Sequence, residues 1–376
     1  MALDETTFAA LEANVERFVR ERLVPAEREL EETGVVPDAI GAQMRRLGLF
    51  GLIVPTDYGG LGLTPLEEIR LTLTFGRTSP GFHTLFGTNA GIGVEGLVAV
   101  GSQEQKQRWL PRLASGEAIG AFALTEPEAG SDAAGVRTRA VRSSDGWSIT
   151  GAKRYISNAP VADLITVLAR TGEDREAISA FLVERATRGL SFGPPDRKLG
   201  HRASPTCDIH FADCTIPQDA LLGAVGEGLA LARRVLERGR LRVAALCVGA
   251  AERLVDEATR HARTRRQFGK RIGDFQLVRA LLADSHAEAY AARCMVLDAA
   301  ARADAGDVSR DAACAKLFAS EMVGRVADRA MQIFGGEAYM FGHVVERFYR
   351  DVRLFRIYEG TTQIQQLIIG RALLDG

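Results

Sequence analysis

At 376 residues the chain is too long for one small binding module, and at ~100–200 residues per domain it divides into two or three packed units. Its 47 Lys and Arg balance 48 Asp and Glu, leaving a formal charge of -1, so no overall basic field holds nucleic acid or an anionic membrane and any anionic ligand must be met locally. Hydrophobic residues at 46% and charged residues at 25% lie near globular averages and exclude a disordered or fibrous chain.

Lys occurs only at positions 106, 153, 198, 270 and 316, the other basic residues being Arg, as a GC-rich genome would produce. The five cysteines (207, 214, 247, 294 and 314) contain no Cys-x-x-Cys pair. An odd set of this kind reads as reduced, mostly buried thiols of a cytoplasmic protein, not as a metal or disulfide framework. The first residues, MALDETTFAALEANVERFVRERL, carry acids where a secretory signal needs bases. The longest apolar run, Val243 to Ala251, falls well short of the ~18 residues of a membrane span.

From residue 1 to about 120 the periodicity is helical: Phe8, Leu11, Val15, Phe18 and Val19 share a face, and Pro25 marks a break. The glycine-rich stretch Val54 to Thr64 is a loop, either near a ligand or a plain helix connection. Ser102 with Gln105 opens a further helix by a capping box, and Pro111 is not expected deep inside it. From about 120 to 217 short β-rich runs (IGAFALT, VRTRAVR, WSITG, DLITVLA, AISAFLVE, TCDIHF) alternate with turns such as Ser144-Asp145-Gly146 and Thr171-Gly172. Strands this short should close into a small sandwich or barrel. Beyond about 226, helical stretches over 228–262, 274–305 and 309–333, with a terminal piece from 362, suggest an antiparallel bundle. On the second of them Val278, Leu281, Leu282, Ser285, Ala289, Ala292 and Val296 line one face.

Five segments carry candidate chemistry. In Phe122-Ala-Leu-Thr-Glu-Pro-Glu-Ala-Gly-Ser-Asp132, Pro127 and Gly130 turn the chain, and Thr125, Ser131 and Asp132 offer polar groups beside free backbone N–H groups, enough to bond the edge of a planar heterocycle. In Lys153-Arg-Tyr-Ile-Ser-Asn158 the aromatic at 155 and the hydroxyl at 157 lie two apart and so share a strand face. Arg263 to Arg271 has four Arg in nine residues, a natural partner for a diphosphate or simply a solvated helix face. Met331 to Gly336 is a helix end with paired glycines, open to close approach by a ligand. Ile357 to Gln365 sets Glu359 before Gly360 and a Thr-capped helix, where a carboxylate could also serve only the helix dipole.

In their order and spacing, the TEPEAGSD run, KLGHRASPT at 198–206, RRQFGK, QIFGG and above all IYEGTTQIQ give a chain that resembles the acyl-CoA dehydrogenase family over almost its whole length. The resemblance implies a mainly α fold with a β domain: an N-terminal helical domain (1–120), a middle β-sandwich or barrel (121–225) and a C-terminal four-helix bundle (226–376). It implies FAD, a homodimer or homotetramer, and a cytoplasmic oxidoreductase of fatty acid metabolism that passes electrons to an electron-transferring flavoprotein. By the same resemblance Phe122, Leu124, Thr125, Gly130, Ser131, Tyr155, Ile156 and Ser157 hold the flavin and ribityl part. Arg265, Gln267, Phe268, Gln276, Gln332, Gly335, Gly336, Thr361 and Gln363 take the diphosphate and adenosine, partly from a neighbouring subunit.

Glu359 is then the base that removes the α-proton of an acyl-CoA while flavin N5 takes the β-hydride. Ser131, Glu237, Arg240 and Gly360 belong to the thioester and CoA pocket, although Arg233, Arg234 and Arg238 leave a structural or solvated role open for Arg240. Residues from Phe82 to Ile92, with Glu95, are candidates for the floor of the acyl tunnel. A subset of the family places its base immediately before the arginine corresponding to Arg240; here that residue is Gly239, so Glu359 stands alone. Tyr155 replaces a frequent Trp, Ser157 a frequent Thr, Gln267 a frequent Thr and Ala338 a usual Gly. Cys207, His201 and His210 are expected in the core or on the barrel surface. The rival readings are a flavin oxidase or monooxygenase, a dehydrogenase of acyl-carrier-protein thioesters, and a non-catalytic flavin or acyl-CoA binding protein. Neither a nucleic acid nor a metal is expected as a partner.

Overall fold

The computed structural model describes residues 3–304, 306 and 308–375. The outer limits of the expected N-terminal unit, second long helix and C-terminal unit, at residues 1, 305 and 376, lie outside the described residues, as do residues 2 and 307.

Seven helices build the first unit: α1 (Glu5–Phe18), α2 (Val24–Thr33), α3 (Asp38–Arg46), α4 (Pro65–Gly76), α5 (Pro80–Thr88), α6 (Glu95–Val100) and α7 (Gln103–Ser115). The Asp4 carboxylate accepts the Thr7 N–H at the start of α1, and the helix buries Phe8, Val15 and Phe18 as its periodicity demands. Pro25 does not separate two helices. A π-turn over Val19–Leu23 carries the chain into α2, and Pro25 sits in its first turn, where its missing N–H is not needed. Pro111 likewise lies inside α7, contrary to expectation, because that helix buries Trp109, Leu110, Leu113 and Ala114 on one face, which outweighs the ~3 kcal/mol a helical proline costs. The Val54 to Thr64 stretch is a packed helix connection: Gly60 lies so close to Val54 that a Cβ there would stand 2.1 Å from its carbonyl oxygen.

The β unit comprises β1 (Gly120–Ala123), β2 (Arg139–Ser143), β3 (Gly146–Ser157), β4 (Leu164–Arg170), β5 (Ile178–Glu184), β6 (Leu190–Phe192), β7 (Thr206–Ile216) and β8 (Leu221–Leu222). All eight hydrogen-bond in the order β6-β7-β3-β2-β4-β5-β8, with β1 parallel to β4. Trp147 and Phe181 meet edge to face at 5.2 Å in its core.

The third unit opens with α8 (Gly228–Thr264), continues through a short hairpin, β9 (Arg266–Gln267) and β10 (Lys270–Arg271), and then runs through α9 (Gln276–Arg302), α10 (Ser309–Phe334), α11 (Val344–Asp351) and α12 (Thr362–Asp375). The molecule is mainly helical with a middle β unit, as expected, and the strands of that unit form a single hydrogen-bonded sheet. Helix α8 crosses α4 through two facing glycines: a Cβ on Gly76 would lie 2.6 Å from the Leu246 oxygen, and one on Gly249 2.2 Å from the Leu73 oxygen. That close approach docks the bundle on the N-terminal unit and brings Gly239, Arg240 and Arg242 of α8 to the junction of all three units. Among the described residues no helix is long and apolar enough to cross a membrane, and no cluster of His, Cys, Asp or Glu could hold a metal. The five cysteines are unpaired; Cys207, Cys214 and Cys247 are buried, Cys314 half-buried and Cys294 exposed.

Candidate active site

Glu359 lies between α11 and α12 in left-handed conformation (φ 54°), and Gly360 follows in the same region (φ 85°). Such a conformation costs a residue with a side chain ~1 kcal/mol or more, so the surroundings must hold it. They do so through the carbonyls. Gln365, fully buried, donates from Nε2 to the Glu359 oxygen (3.1 Å) and the Gly360 oxygen (2.9 Å), and Lys316 of α10 donates from Nζ to the Gly360 oxygen (2.5 Å). Thr361 Oγ1 accepts the Ile364 N–H and starts α12.

As a residue Glu359 is half-buried, but its Oε2 is shut off from solvent and meets no donor. A methyl on Gly239 would stand 2.5 Å from that oxygen. Burial lifts the carboxyl to about 7 against the pull of Arg242, Arg240 and Lys316, with Glu95 adding to the rise. A base poised near neutrality is what proton abstraction at ordinary pH requires. The Glu359 backbone N–H donates to no acceptor among the described residues, which leaves it available to a ligand oxygen.

The carboxylate faces a cavity of about 110 Å³. Helix α5 supplies its far wall through His83, Thr84, Gly87 and Thr88, and Ile92 follows; the β unit contributes Ser157, Lys198 and His201. Thus part of the Phe82 to Ile92 stretch lines the cavity. Glu95 stands behind it, paired at 2.9 Å with Arg242, whose Nε also reaches Glu68 at 2.7 Å. These two carboxylates hold the Arg242 charge in a buried wall. The His83 ring stays neutral, pushed down to about 3 by burial and then by Arg242 and His201. His201 is buried as expected but also reaches the cavity, and Asp351 of α11 anchors it by accepting its N–H at 2.6 Å. Cys207 lies in the β core and His210 is exposed.

The loop after β1 is pinned from below. Lys153, fully buried, donates to the Leu124 oxygen (3.0 Å) and to Glu126 (2.7 Å), and Glu126 also accepts the Arg137 and Thr138 N–H groups. Burial alone would raise the Glu126 carboxyl, but Lys153 and these donors prevail and lower it. Phe122 is buried, Leu124 and Thr125 are half-buried, and Gly130 and Ser131 are exposed. The Thr125 and Ser131 hydroxyls bond to none of the described residues. Tyr155 departs from the expected strand face: it is left-handed (φ 59°) at a β-bulge, 64% exposed, and absent from the cavity wall that Ser157 joins. Ile156 between them is buried.

A second group lies at the far end of the bundle. Phe268 and Gly269 both take positive φ (52° and 76°) to turn the β9–β10 hairpin, and Phe268 is 91% exposed. The Arg265 guanidinium pairs with no carboxylate among the described residues. Gly335 and Gly336 face open space, and Gln276 and Gln332 are exposed; Gln363, also exposed, lies instead on α12 just past Glu359. His261 stacks on Phe334 at 4.1 Å, which places this hairpin beside the end of α10. None of these residues lines the cavity beside Glu359. An unpaired guanidinium, bare glycine backbone and an exposed ring fit a diphosphate and an adenine, while the pinned loop fits the edge of a flavin. A larger groove of about 680 Å³ lies elsewhere, its walls made of mutually paired ions such as Arg70–Glu12 and Arg77–Glu252, and it holds none of these groups.

Comparison with known proteins matches all three units to one family: residues 6–117, 121–214 and 226–374 match its acyl-CoA dehydrogenase N-terminal, middle and C-terminal domains. The chain belongs to the acyl-CoA dehydrogenase family. Its oxidoreductases use FAD. Acyl-CoA dehydrogenase of Bacillus subtilis (strain 168) is 38% identical over 365 residues, covering 96% of each chain. The mitochondrial very long-chain specific acyl-CoA dehydrogenase of Homo sapiens is also 38% identical, over 94% of this chain, but this chain spans only 56% of that relative's length. An acyl-CoA dehydrogenase from Bacillus anthracis, solved as a complex with FAD, superposes with a TM-score of 0.92 and 32% identity over 99% of this chain and 67% of that one.

In this acyl-CoA dehydrogenase family member Arg240 does not line the cavity that its neighbours Gly239 and Arg242 join. It is 7% exposed, its Nε has no acceptor, and burial lowers its pKa while Glu237 and Glu359 oppose the shift. This is a buried cation beside Glu359 and not a solvated arginine. Sequence reasoning missed Lys153, Arg242, Lys316 and Gln365. The one available signal was the scarcity of lysine, since Lys153, Lys198 and Lys316 stand at the loop after β1, the cavity and the Glu359 turn.

Proposed function

We propose that this protein is an FAD-dependent dehydrogenase that forms the 2-enoyl thioester from an acyl-CoA, with Glu359 as the α-proton base. The observation that carries the reading is the Glu359 carboxyl, near neutrality, with an unpartnered oxygen, on the wall of a cavity shared by all three units. Removing a proton beside a thioester builds negative charge on the thioester oxygen, which needs a donor that is already in place. The orphan Glu359 N–H supplies one, and Arg240 and Arg242 supply the surrounding positive potential. Ser131, Glu237 and Gly360 complete the thioester and CoA side of the site. Bound FAD supplies the two-electron acceptor. Phe122, Leu124, Thr125, Gly130, Ser131, Tyr155, Ile156 and Ser157 hold its flavin part.

Arg265, Gln267, Phe268, Gln276, Gln332, Gly335 and Gly336, with Thr361 and Gln363, hold the diphosphate and adenosine. The hairpin and α10-end residues among them stand apart from the cavity of their own chain, so they complete the site of a neighbouring copy, and the working form is a dimer or tetramer. A monooxygenase gives Glu359 no α-proton to remove. The electrons pass to an electron-transferring flavoprotein, and the enzyme works in the cytoplasm. The FAD-loaded protein should bleach anaerobically with one or more of a set of short, medium, long, branched and aromatic acyl-CoAs and one carrier-protein thioester, and Glu359→Gln should bind without bleaching. Bleaching of the mutant at the parent rate would overturn the base; no bleaching with any thioester would leave a binding protein.

A further inference from the structure

The Lys316 ammonium is sealed inside the bundle, and the group it donates to is a carbonyl of the turn that carries the base. Its residue is fully buried on α10, and the Gly360 oxygen lies 2.5 Å from Nζ. The same oxygen takes the amide of buried Gln365, which also reaches the Glu359 oxygen, so both carbonyls of a doubly left-handed turn point into a clamp of two buried side chains. Gln365 keeps its Oε1 unpartnered, as if its orientation were fixed by the donation alone. A buried lysine is expensive, and a neutral donor would serve a single carbonyl at less cost. What the amine adds, while it is protonated, is charge near the carboxylate, burial having lowered its pKa to about 8.

We propose that Lys316 is a positioning residue for the reaction: it holds the turn that aims Glu359 into the cavity and lends that turn a buried positive charge. The proposal rests on the reading of Glu359 as the base. Charges from three helices packed around the carboxylate act on it: Arg240 and Arg242 from α8, Glu95 from α6, and Lys316 from α10, while the β unit brings Lys198 and His201 to the same cavity. Lys316 in turn faces Cys247, Glu359, Arg240 and Glu321. The three cations oppose burial, so removal of any one raises the base. Arg242, the strongest of them, is held by Glu68 and Glu95, whereas Lys316 donates to the turn that carries Glu359.

The test is Lys316→Met in the FAD-loaded protein, read by the pH dependence of anaerobic flavin reduction and by infrared titration of the Glu359 carboxyl, with Glu359→Gln as the spectral blank. An opposite charge at short range is worth ~1 pKa unit or more, so the profile should move up by about one unit. Reduction should then be about fivefold slower at pH 7 and recover toward the parent rate at high pH. Lys316→Arg, which keeps the charge, should keep the parent profile. Lys316→Gln restores a neutral donor to the Gly360 carbonyl; it should show the same upward shift, and it decides the matter if the methionine variant does not fold. A purely structural lysine would lower the rate equally at every pH, and an unshifted profile and carboxyl titration in either neutral variant would overturn the proposal. If Glu359→Gln itself still reduces flavin, the reading of the base fails instead, and the infrared titration still reports whether Lys316 acts on that carboxyl.

Discussion

Gly239 cedes its side-chain space to Glu359: a Cβ on the glycine would lie 2.5 Å from Oε2 and 3.0 Å from the carboxyl carbon. The position that could itself have carried a carboxylate is therefore the one whose emptiness lets the Glu359 carboxylate sit where it does. Contact that close cannot be relieved by a small shift of backbone, because Gly239 lies inside the 37-residue helix α8. The carboxylate must swing instead. Gly239→Ala should keep its flavin and its melting temperature but lose at least about tenfold in the rate of flavin reduction, since a displacement of about 1 Å at a reacting group can cost ~100-fold. Stopped-flow reduction beside the absorbance ratio of bound flavin measures both, and a parent-like rate would show that the base has room to spare.

The acidity of Glu359 makes a stability prediction of definite sign. Its folded pKa of about 7 lies above the ordinary 4.5, so between these values the native state binds the proton more tightly than the unfolded chain, and stability falls as pH rises from about 4.5 to 7. At ~1.4 kcal/mol per unit the penalty reaches up to ~3 kcal/mol, lessened by the residue's remaining solvent contact. Glu359→Gln removes the titration. It should match the parent near pH 4 and be more stable at pH 8, by up to the same ~3 kcal/mol. Thermal unfolding at the two pH values decides this: a mutant with no relative gain at pH 8 would mean that the carboxylate is not strained in the native state.

The parts of this molecule that periodicity spells out are long. Helices α8, α9 and α10 run for 37, 27 and 26 residues, and their apolar stripes are unmistakable over such windows. Strands β6 and β8, of three and two residues, exist only because β7 and β5 offer them an edge, so no local pattern announces them. The same division holds at the site. Glu359, Gly360 and Ser157 stand in segments whose turn and capping residues mark them, whereas Arg242 finds Glu68 and Glu95 across 174 and 147 residues of chain. Lys316 lies in a helix whose pattern reports only which face is buried. Pro111 and Tyr155 misled for the opposite reason: local rules apply to them, and packing in one case and a bulge in the other overrides the rule.

The buried pair of Lys153 and Glu126 ties the loop after β1 to β3, and neither residue touches the cavity beside Glu359. Removing the lysine leaves Glu126 in a buried site with its backbone donors but without its countercharge. Breaking such a pair typically costs ~3–5 kcal/mol, far more than the pair contributes relative to an apolar replacement of both. Lys153→Met should therefore lower the melting temperature by several degrees and release FAD more readily. The double variant Lys153→Met with Glu126→Leu should recover much of the stability, although without the Leu124 anchor it should not recover flavin affinity. Calorimetry and flavin fluorescence on the two variants separate the effects, and equal recovery of both would mean that the pair has no part in shaping the loop.

Phe268 shows an exposed aromatic in a strained place. A two-residue hairpin with positive φ at both positions favours Asn-Gly, and here the first position is filled by a phenylalanine that packs edge-on against Phe275 at 6.0 Å and otherwise faces solvent. A β-carbon-bearing aromatic in that conformation costs ~1–2 kcal/mol that asparagine largely avoids. The residue is thus worse for the isolated chain than a common alternative, which is how a binding residue looks before its ligand arrives. Phe268→Asn should leave the apoprotein as stable as the parent or up to ~1 kcal/mol more stable, while weakening FAD retention about tenfold, the loss of one buried ring contact. Melting of the apoprotein and FAD titration report the two quantities separately. A variant that is more stable and binds FAD as tightly as the parent would show that the ring serves neither the cofactor nor a neighbouring subunit's hold on it.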